Sequence, residues 1–251
     1  MSSAKRKRGK RPAAAESTWL YGLHAVAAAL ANPNRRCRRL VATEEAVESL
    51  DADVSPRPEI WPRSEIDRLL PAGAVHQGIA GAFEPLPATA LEDLLDLADD
   101  DQPCAIIVLD QVTDPRNVGA IMRSAAAFGC RGVIVQDRHS PPSSGALFKA
   151  ASGGAETVPL VRVSNLVRAI DALRSAGFWS IGFDADGPEI LSEVDLGGRV
   201  ALVLGAEGRG LRRLTRDRCD HLVRVPISDA VSSLNVAAAA AIALYTWAGS
   251  K

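Results

Sequence analysis

Apolar residues in the second half of the chain gather in short runs, at 105–109, 132–135, 157–160, 179–183, 200–204 and 222–225. Such runs, rich in Val, Ile and Leu and bounded by Gly, Asp or Ser, predict strands buried on both faces. Stretches of mixed polarity between them are long enough for helices. Residues 104–251 therefore predict an α/β unit, an open and mainly parallel sheet with helices on both faces. It closes on an Ala-rich helix from about Val236 to Trp247. Residues 18–88 predict a second, small α/β module, with helices over 22–31, 44–50 and 64–70 and strands over 39–42 and 79–83. The stretch 18–36 as a whole reads as an amphipathic helix. Residues 89–103 predict a linker, part of a Pro- and Asp-containing stretch over 84–103 that holds one short helix. Residues 1–17 predict a disordered basic tail.

Three of the strands run into polar turns that open helices. After 200–204 come Gly205, Gly208 and Gly210, which let the backbone turn tightly and approach a ligand, with Glu207 as the acid at that turn. The strand beginning at Leu222 leads to Ser232, Ser233 and Asn235 ahead of the last helix, whose first amides are free to hold a polar group. The strand 105–109 ends in Asp110 and leads to a third polar turn and the helix carrying Asn117 and Arg123. In a parallel sheet the three turns share one edge, where α/β proteins bind ligands. Taken singly, each has a plain structural explanation: glycines for turning, Ser and Asn for capping, Arg123 paired with an acid such as Asp110.

Composition narrows the choice. The formal net charge is −1, so the overall balance does not announce a nucleic-acid partner, but the run from Lys5 to Arg11 and the cluster Arg35, Arg36, Arg38 and Arg39 are local sites for phosphates. Cys37, Cys104, Cys130 and Cys219 form no CxxC pair, which argues against a structural zinc and for buried, reduced thiols in a cytoplasmic protein. No apolar stretch reaches the roughly 20 residues needed to span a bilayer, and the N-terminus lacks an export signal. His24, His76, His139 and His221 are dispersed, so no histidine base stands out. Ser233 lacks a nucleophile-elbow pattern, and no GxGxxG follows the first strand, which sets aside a hydrolase and a Rossmann oxidoreductase.

Three segments, LDQVTDPRNVGAIMRSAAAFG, LVLGAEGRGL and VPISDAVSSLNVAAAAAIALY, occur in this order and resemble the motifs of the SpoU (TrmH) family of RNA ribose 2′-O-methyltransferases, within the SPOUT superfamily. The resemblance covers roughly residues 105–248 and includes Asn117, Arg123, Glu207, Ser233 and Asn235. It implies S-adenosylmethionine as methyl donor, RNA as acceptor, a C-terminal trefoil knot, a homodimer and no metal. Segments such as GAVHQGIAG are most similar to members that methylate a guanosine in large-subunit (23S) ribosomal RNA, with a small N-terminal domain for substrate recognition. A tRNA guanosine methyltransferase and a non-catalytic ribosome-assembly factor are the rival readings.

By the family pattern Leu204, Gly205, Gly208, Val225, Ile227, Ser233 and Leu234 hold the donor, Ser233 being open to a substrate role instead. Asn117, Arg123, Glu207, Ser233 and Asn235 form the implied catalytic set. A ribose hydroxyl is a weak nucleophile, so transfer needs alignment and a route for its proton. Arginine, with a pKa above about 12, is a poor base, which favours Arg123 as a fork on a phosphate and on the developing alkoxide. Glu207 is left with two roles, partner to substrate or arginine, or a negative charge near the sulfonium. Asn235 is left between orienting its neighbours and touching RNA. The stretch 136–160 reads as a Ser- and Gly-rich loop and helix, open to closing over RNA or to contacting a second subunit.

Overall fold

The computed structural model describes residues 17–51, 53–96, 102–138 and 140–250. The basic run from Lys5 to Arg11, the Asp-rich end of the linker and His139 lie outside the described residues.

The first sheet is built from β1 (Thr18–Tyr21), β2 (Cys37–Ala42), β3 (Glu59–Ile60) and β4 (Ile79–Phe83), in the order β1-β4-β2-β3. Helices α1 (Leu23–Ala31), α2 (Glu44–Val47) and α3 (Arg63–Leu69) connect them. Every residue of β4 is buried, because it is central and antiparallel to both β1 and β2. The edge it offers opposite β2 decides the fate of Trp19 to Tyr21. The amphipathic pattern puts these residues in a helix, but pairing of Thr18 with Phe83 through Tyr21 with Ala80 makes them a strand. Gly22, at φ 88°, then turns the chain into α1. Helix α2 stops at Val47, short of the expected Leu50, as the amides of Ser49 and Leu50 take the tighter bonds to Ala46 and Val47 carbonyls.

The second sheet follows α4 (Leu91–Asp96). Its strands are β5 (Cys104–Asp110), β6 (Gly132–Gln136), β7 (Leu160–Val163), β8 (Trp179–Phe183), β9 (Glu189–Ile190), β10 (Arg199–Gly205) and β11 (His221–Arg224). They lie in the order β7-β6-β5-β10-β8-β11-β9, and each pairing is parallel. The strand expected at 157–160 starts only at Leu160, because 154–156 form a 3₁₀ turn on whose first carbonyl the Thr157 hydroxyl donates a hydrogen bond at 3.2 Å. Helices α5 (Pro115–Phe128), α6 (Gly145–Ala151), α7 (Leu166–Ser175), α8 (Arg213–Arg216) and α9 (Val236–Ala248) complete the unit. This is the open parallel sheet with helices on both faces that the apolar runs predict.

Alternation along the central strands feeds two cores. Ala105, Ile107 and Leu109 join Val200, Leu202 and Leu204 under α5 and α9, with Trp247 of α9 fully buried. Ile106, Val108, Ala201 and Val203 face α7. The supposed linker contributes to this second core. Leu94 of α4 is 0% exposed, and it fits only because Gly132 has no side chain: a Cβ there would stand 2.7 Å from Leu94 Cδ1. The first core runs without a break into the small sheet through Leu20, Val26, Leu40 and Phe83. Nor is 136–160 a free flap, since α6 packs between α5 and β1, so closely that a Cβ at Gly119 would meet Leu147 O at 2.3 Å.

The cluster of arginines at 35–39 is largely spent inside the molecule. Arg35 is buried over the Phe148 ring and beside Glu156, Arg38 pairs with Glu84, and Arg39 forks onto Glu59 at 2.8 Å and stacks on Trp61. Only Arg36 of this cluster keeps an exposed guanidinium with no partner among the described residues, so the expected phosphate site is much reduced.

Leu94→Ala should therefore lower the unfolding free energy by about 2–5 kcal/mol, the cost of a cavity in a packed core. Urea unfolding measures it; a loss within about 0.5 kcal/mol would return the segment to the status of a spacer.

Candidate functional site

All strands of the second sheet point the same way, so the carboxyl ends of β5, β10, β8 and β11 form one edge. Beyond β8, β10 and β11 lies a cavity of about 240 Å³. Leu204, Gly205, Gly208, Val225, Ile227, Ser233 and Leu234 all line it, joined by Phe183, Asp184, Glu207 and Val236. Its walls are mostly aliphatic, with backbone and the polar residues Asp184, Glu207, Ser232 and Ser233 among them, which suits a flat heterocycle carrying a polar edge.

The floor depends on a turn that excludes side chains. Ala206 and Gly210 form a β-bridge, with the Gly210 amide donating to Ala206 O at 2.9 Å. A Cβ at Gly205 would lie 2.1 Å from the Gly210 carbonyl carbon. Gly208 and Gly210 have φ of 74° and 64°, in the left-handed region.

Asp110, at the end of β5, ties this turn down. Its carboxylate is fully buried; Oδ1 accepts from Arg212 Nε at 2.6 Å and Oδ2 from the Arg212 amide at 3.1 Å. A buried carboxylate needs such complete pairing. The partner of Asp110 is thus Arg212, and the alternative pairing with Arg123 is ruled out. Sequence reasoning missed this clamp, although an Asp closing a wholly apolar strand was its signal.

The three motifs meet on one oxygen. Glu207 Oε1 accepts from Asn117 Nδ2 at 3.0 Å, from Asn235 Nδ2 at 2.6 Å and from the Val236 amide at 3.3 Å. Asn235 Nδ2 also donates to Asn117 Oδ1 at 3.0 Å, while its own Oδ1 accepts from the Ala237 and Ala238 amides and caps α9. Asn235 accordingly both caps and orients. Asn117 caps nothing, because Asp114 does that for α5 with Pro115 following it. The carboxylate sits against the amide end of α9, a favourable place for negative charge.

Arg123 stands apart. It is exposed on α5, its backbone against Gly154, with no partner among the described residues and no place in the cavity wall. Six residues of helix put it about 9 Å along the axis from Asn117. Of the remaining candidates, His76 is buried between Asp67 and the Gly78 amide, and His221 bonds Glu189, both away from the cavity. Among the described residues no group of His, Cys, Asp or Glu is arranged to hold a metal. The four cysteines are free, and burial pushes the Cys130 and Cys219 thiols up to about 12 and Cys37 up to about 11, so all three stay protonated near neutrality. Among the described residues no helix is long and apolar enough to cross a membrane.

Residues 105–245 match the model of the SpoU rRNA Methylase family. The chain belongs to that family. A second model, RNA 2′-O ribose methyltransferase substrate binding, matches residues 19–89 of this SpoU family member. It is 39% identical over 241 residues to the 23S rRNA (guanosine-2′-O-)-methyltransferase RlmB of Escherichia coli, covering 91% of this chain and 97% of that one. The RlmB of Coxiella burnetii is 38% identical, over 90% and 93% of the two chains. Among solved structures, a putative RNA methyltransferase of the TrmH family from Porphyromonas gingivalis superposes with a TM-score of 0.71 at 27% identity, covering 92% and 89%. The SpoU methyltransferase AviRb from Streptomyces viridochromogenes, in complex with AdoMet, shares the fold with a TM-score of 0.77 at 24% identity, covering 94% and 90%.

Gly205→Ala should abolish ligand binding in the cavity, since the Gly210 backbone must move to admit the methyl group. Calorimetric titration with S-adenosylmethionine checks this; affinity within about twofold of the parent would show the turn to be adaptable.

Proposed function

We propose that this SpoU family member transfers a methyl group from S-adenosylmethionine to the ribose 2′-hydroxyl of a guanosine in 23S ribosomal RNA, in the cytoplasm. The observation that carries the reading is the convergence of Asn117, Glu207 and Asn235, one from each motif, at the mouth of an aliphatic cavity. Near-complete coverage of the RlmB relatives supports the choice of substrate.

The cavity fits the donor. Leu204, Val225, Ile227 and Leu234 supply apolar walls for an adenine ring, and Gly205 and Gly208 let it lie against backbone. When bound, the donor supplies a methyl carbon already activated by its sulfonium. The protein then has to place an oxygen in line with that carbon. Glu207, immobilised on Oε1 by three donors, and the Ser233 hydroxyl are placed to position the acceptor ribose. Asn117 and Asn235 act by holding Glu207. Arg123 grips a phosphate of the acceptor strand and stabilises the developing alkoxide, a bound nucleotide with its phosphate spanning the distance along α5. The proton of the 2′-hydroxyl passes to a phosphate oxygen or water as the O–CH₃ bond forms and the bond from sulfur to the methyl carbon breaks.

The small sheet over residues 18–88 takes the RNA outside the reacting nucleotide. A homodimer forms through α9, where Ala238, Ile242 and Tyr245 make an exposed stripe at helical spacing, opposite a face buried through Val236, Ala240, Ala243, Leu244 and Trp247.

Arg123→Ala should lower kcat by about 10²–10³-fold, the usual loss when a transition-state charge partner is removed, with donor affinity unchanged. Labelled methyl transfer to RNA lacking the modification, followed by nucleoside digestion, reads both the loss and the product. The unaltered protein should give 2′-O-methylguanosine in large-subunit RNA. The same nucleoside in tRNA instead would move the substrate, and no transfer despite donor binding would make the chain a binding factor.

A further inference from the structure

A second cavity opens on the same edge of the sheet. It has a volume of about 630 Å³ and lies beyond β6 and β7, on the other side of the segment that carries α8. That volume is within the range of roughly 300–1,000 Å³ typical of small-ligand sites. Gln136, Arg212, Arg213, Thr215 and Arg218 line it, with Asp217 as the acid among them.

Two of its polar groups are unspent. Thr215 is 0% exposed, and its hydroxyl has no hydrogen-bond partner; the same holds for Gln136 Oε1, which is buried. A buried hydroxyl or amide oxygen without a partner costs free energy, so two on residues that line one cavity point to a ligand that supplies the missing donors and acceptors.

The charge on the wall is similarly divided. Four arginines occur between 212 and 218. Arg212 pairs with Asp110, Arg216 with Asp184 at 3.2 Å and Arg218 with Asp171 at 3.8 Å, which pins α8 from three sides. Arg213 pairs with nothing among the described residues and is exposed at the cavity rim. A short helix so held is a rigid mount for one free guanidinium, the group suited to a phosphate.

We propose that this cavity is a subsite for a nucleotide flanking the methylated one: Arg213 takes its phosphate, and Gln136 and Thr215 hydrogen-bond its base or ribose. This rests on the RNA methyl-transfer reading. The chain runs from the wall of the first cavity, residues 204–210, straight into the wall of the second, residues 212–218, which places the two cavities on either side of one continuous segment. Gln136 Oε1 accepts from a base amino or imino group or from a 2′-hydroxyl, and the Thr215 hydroxyl both donates and accepts.

The test uses the full chain and a 23S RNA fragment that it methylates. Arg213→Ala should raise the KM for RNA about tenfold and reduce the slope of log K against log salt by about one. Its kcat and its affinity for S-adenosylmethionine should stay within twofold, because Arg213 is outside the donor cavity. Thr215→Val, which removes only the hydroxyl, should raise the KM without changing the salt slope. Leu214, 62% exposed on the rim, replaced by a photo-crosslinking phenylalanine, should join to the nucleotide next to the methylated one. An unchanged KM and slope in Arg213→Ala overturns the subsite, as does a crosslink joining two protein copies instead of RNA. Absence of methyl transfer by the unaltered protein, with Arg213-dependent RNA binding retained, would defeat the proposed reaction and uphold the subsite.

Discussion

The functional edge of this protein depends on one buried carboxylate. Asp110 ends a strand whose every residue is buried, and an unpaired charge there would cost several kcal/mol. Both oxygens are satisfied by Arg212, one through its side chain and one through its amide. Because the second bond is to backbone, the pairing fixes the path of the chain as well as a side chain. The glycine turn ends at that point, so Glu207 is delivered to Asn117 and Asn235 at one end and α8 is delivered to Asp184 and Asp171 at the other. Both cavities are consequences of where that wall stands.

A comparable bond governs how the small sheet is mounted. Glu156 takes the Asn32 amide at 2.9 Å and lies beside Arg35, whose guanidinium is buried between the Phe83 and Phe148 rings. Burial lowers the Arg35 pKa, and the adjacent Glu156 works against that shift. Gln77, held at φ 55°, offers its side-chain oxygen to both the Leu23 amide and Lys149 of α6. Gly22 leaves the space through which Lys149 passes. Polar contacts and continuous apolar packing thus set the small sheet against the helix that neighbours α5.

Much of this was legible in the residues. Buried parallel strands are read from uninterrupted apolar runs, and glycines between a strand and a charged segment mark a turn at a ligand edge; the wall residues from Leu204 to Leu234 followed from that pattern and the family motifs. What stayed hidden depended on distant partners. Trp19 to Tyr21 have a helical pattern and become a strand because β4 offers an edge. Leu94 looks like part of a spacer until Gly132 is seen to leave room for it. The arginines at 35–39 look free until Glu156, Glu84 and Glu59 are placed beside them. Local pattern reports the face a residue presents, whereas its partner is set by the tertiary fold.

The meeting of Asn117, Glu207 and Asn235 also has a consequence in time. Asn235 is 118 positions beyond Asn117, and the helix it opens is anchored by the buried Trp247. During synthesis Glu207 can be held by both asparagines only once the start of α9 has been made, when the first sheet is already complete. Until then the nascent polypeptide has no assembled centre.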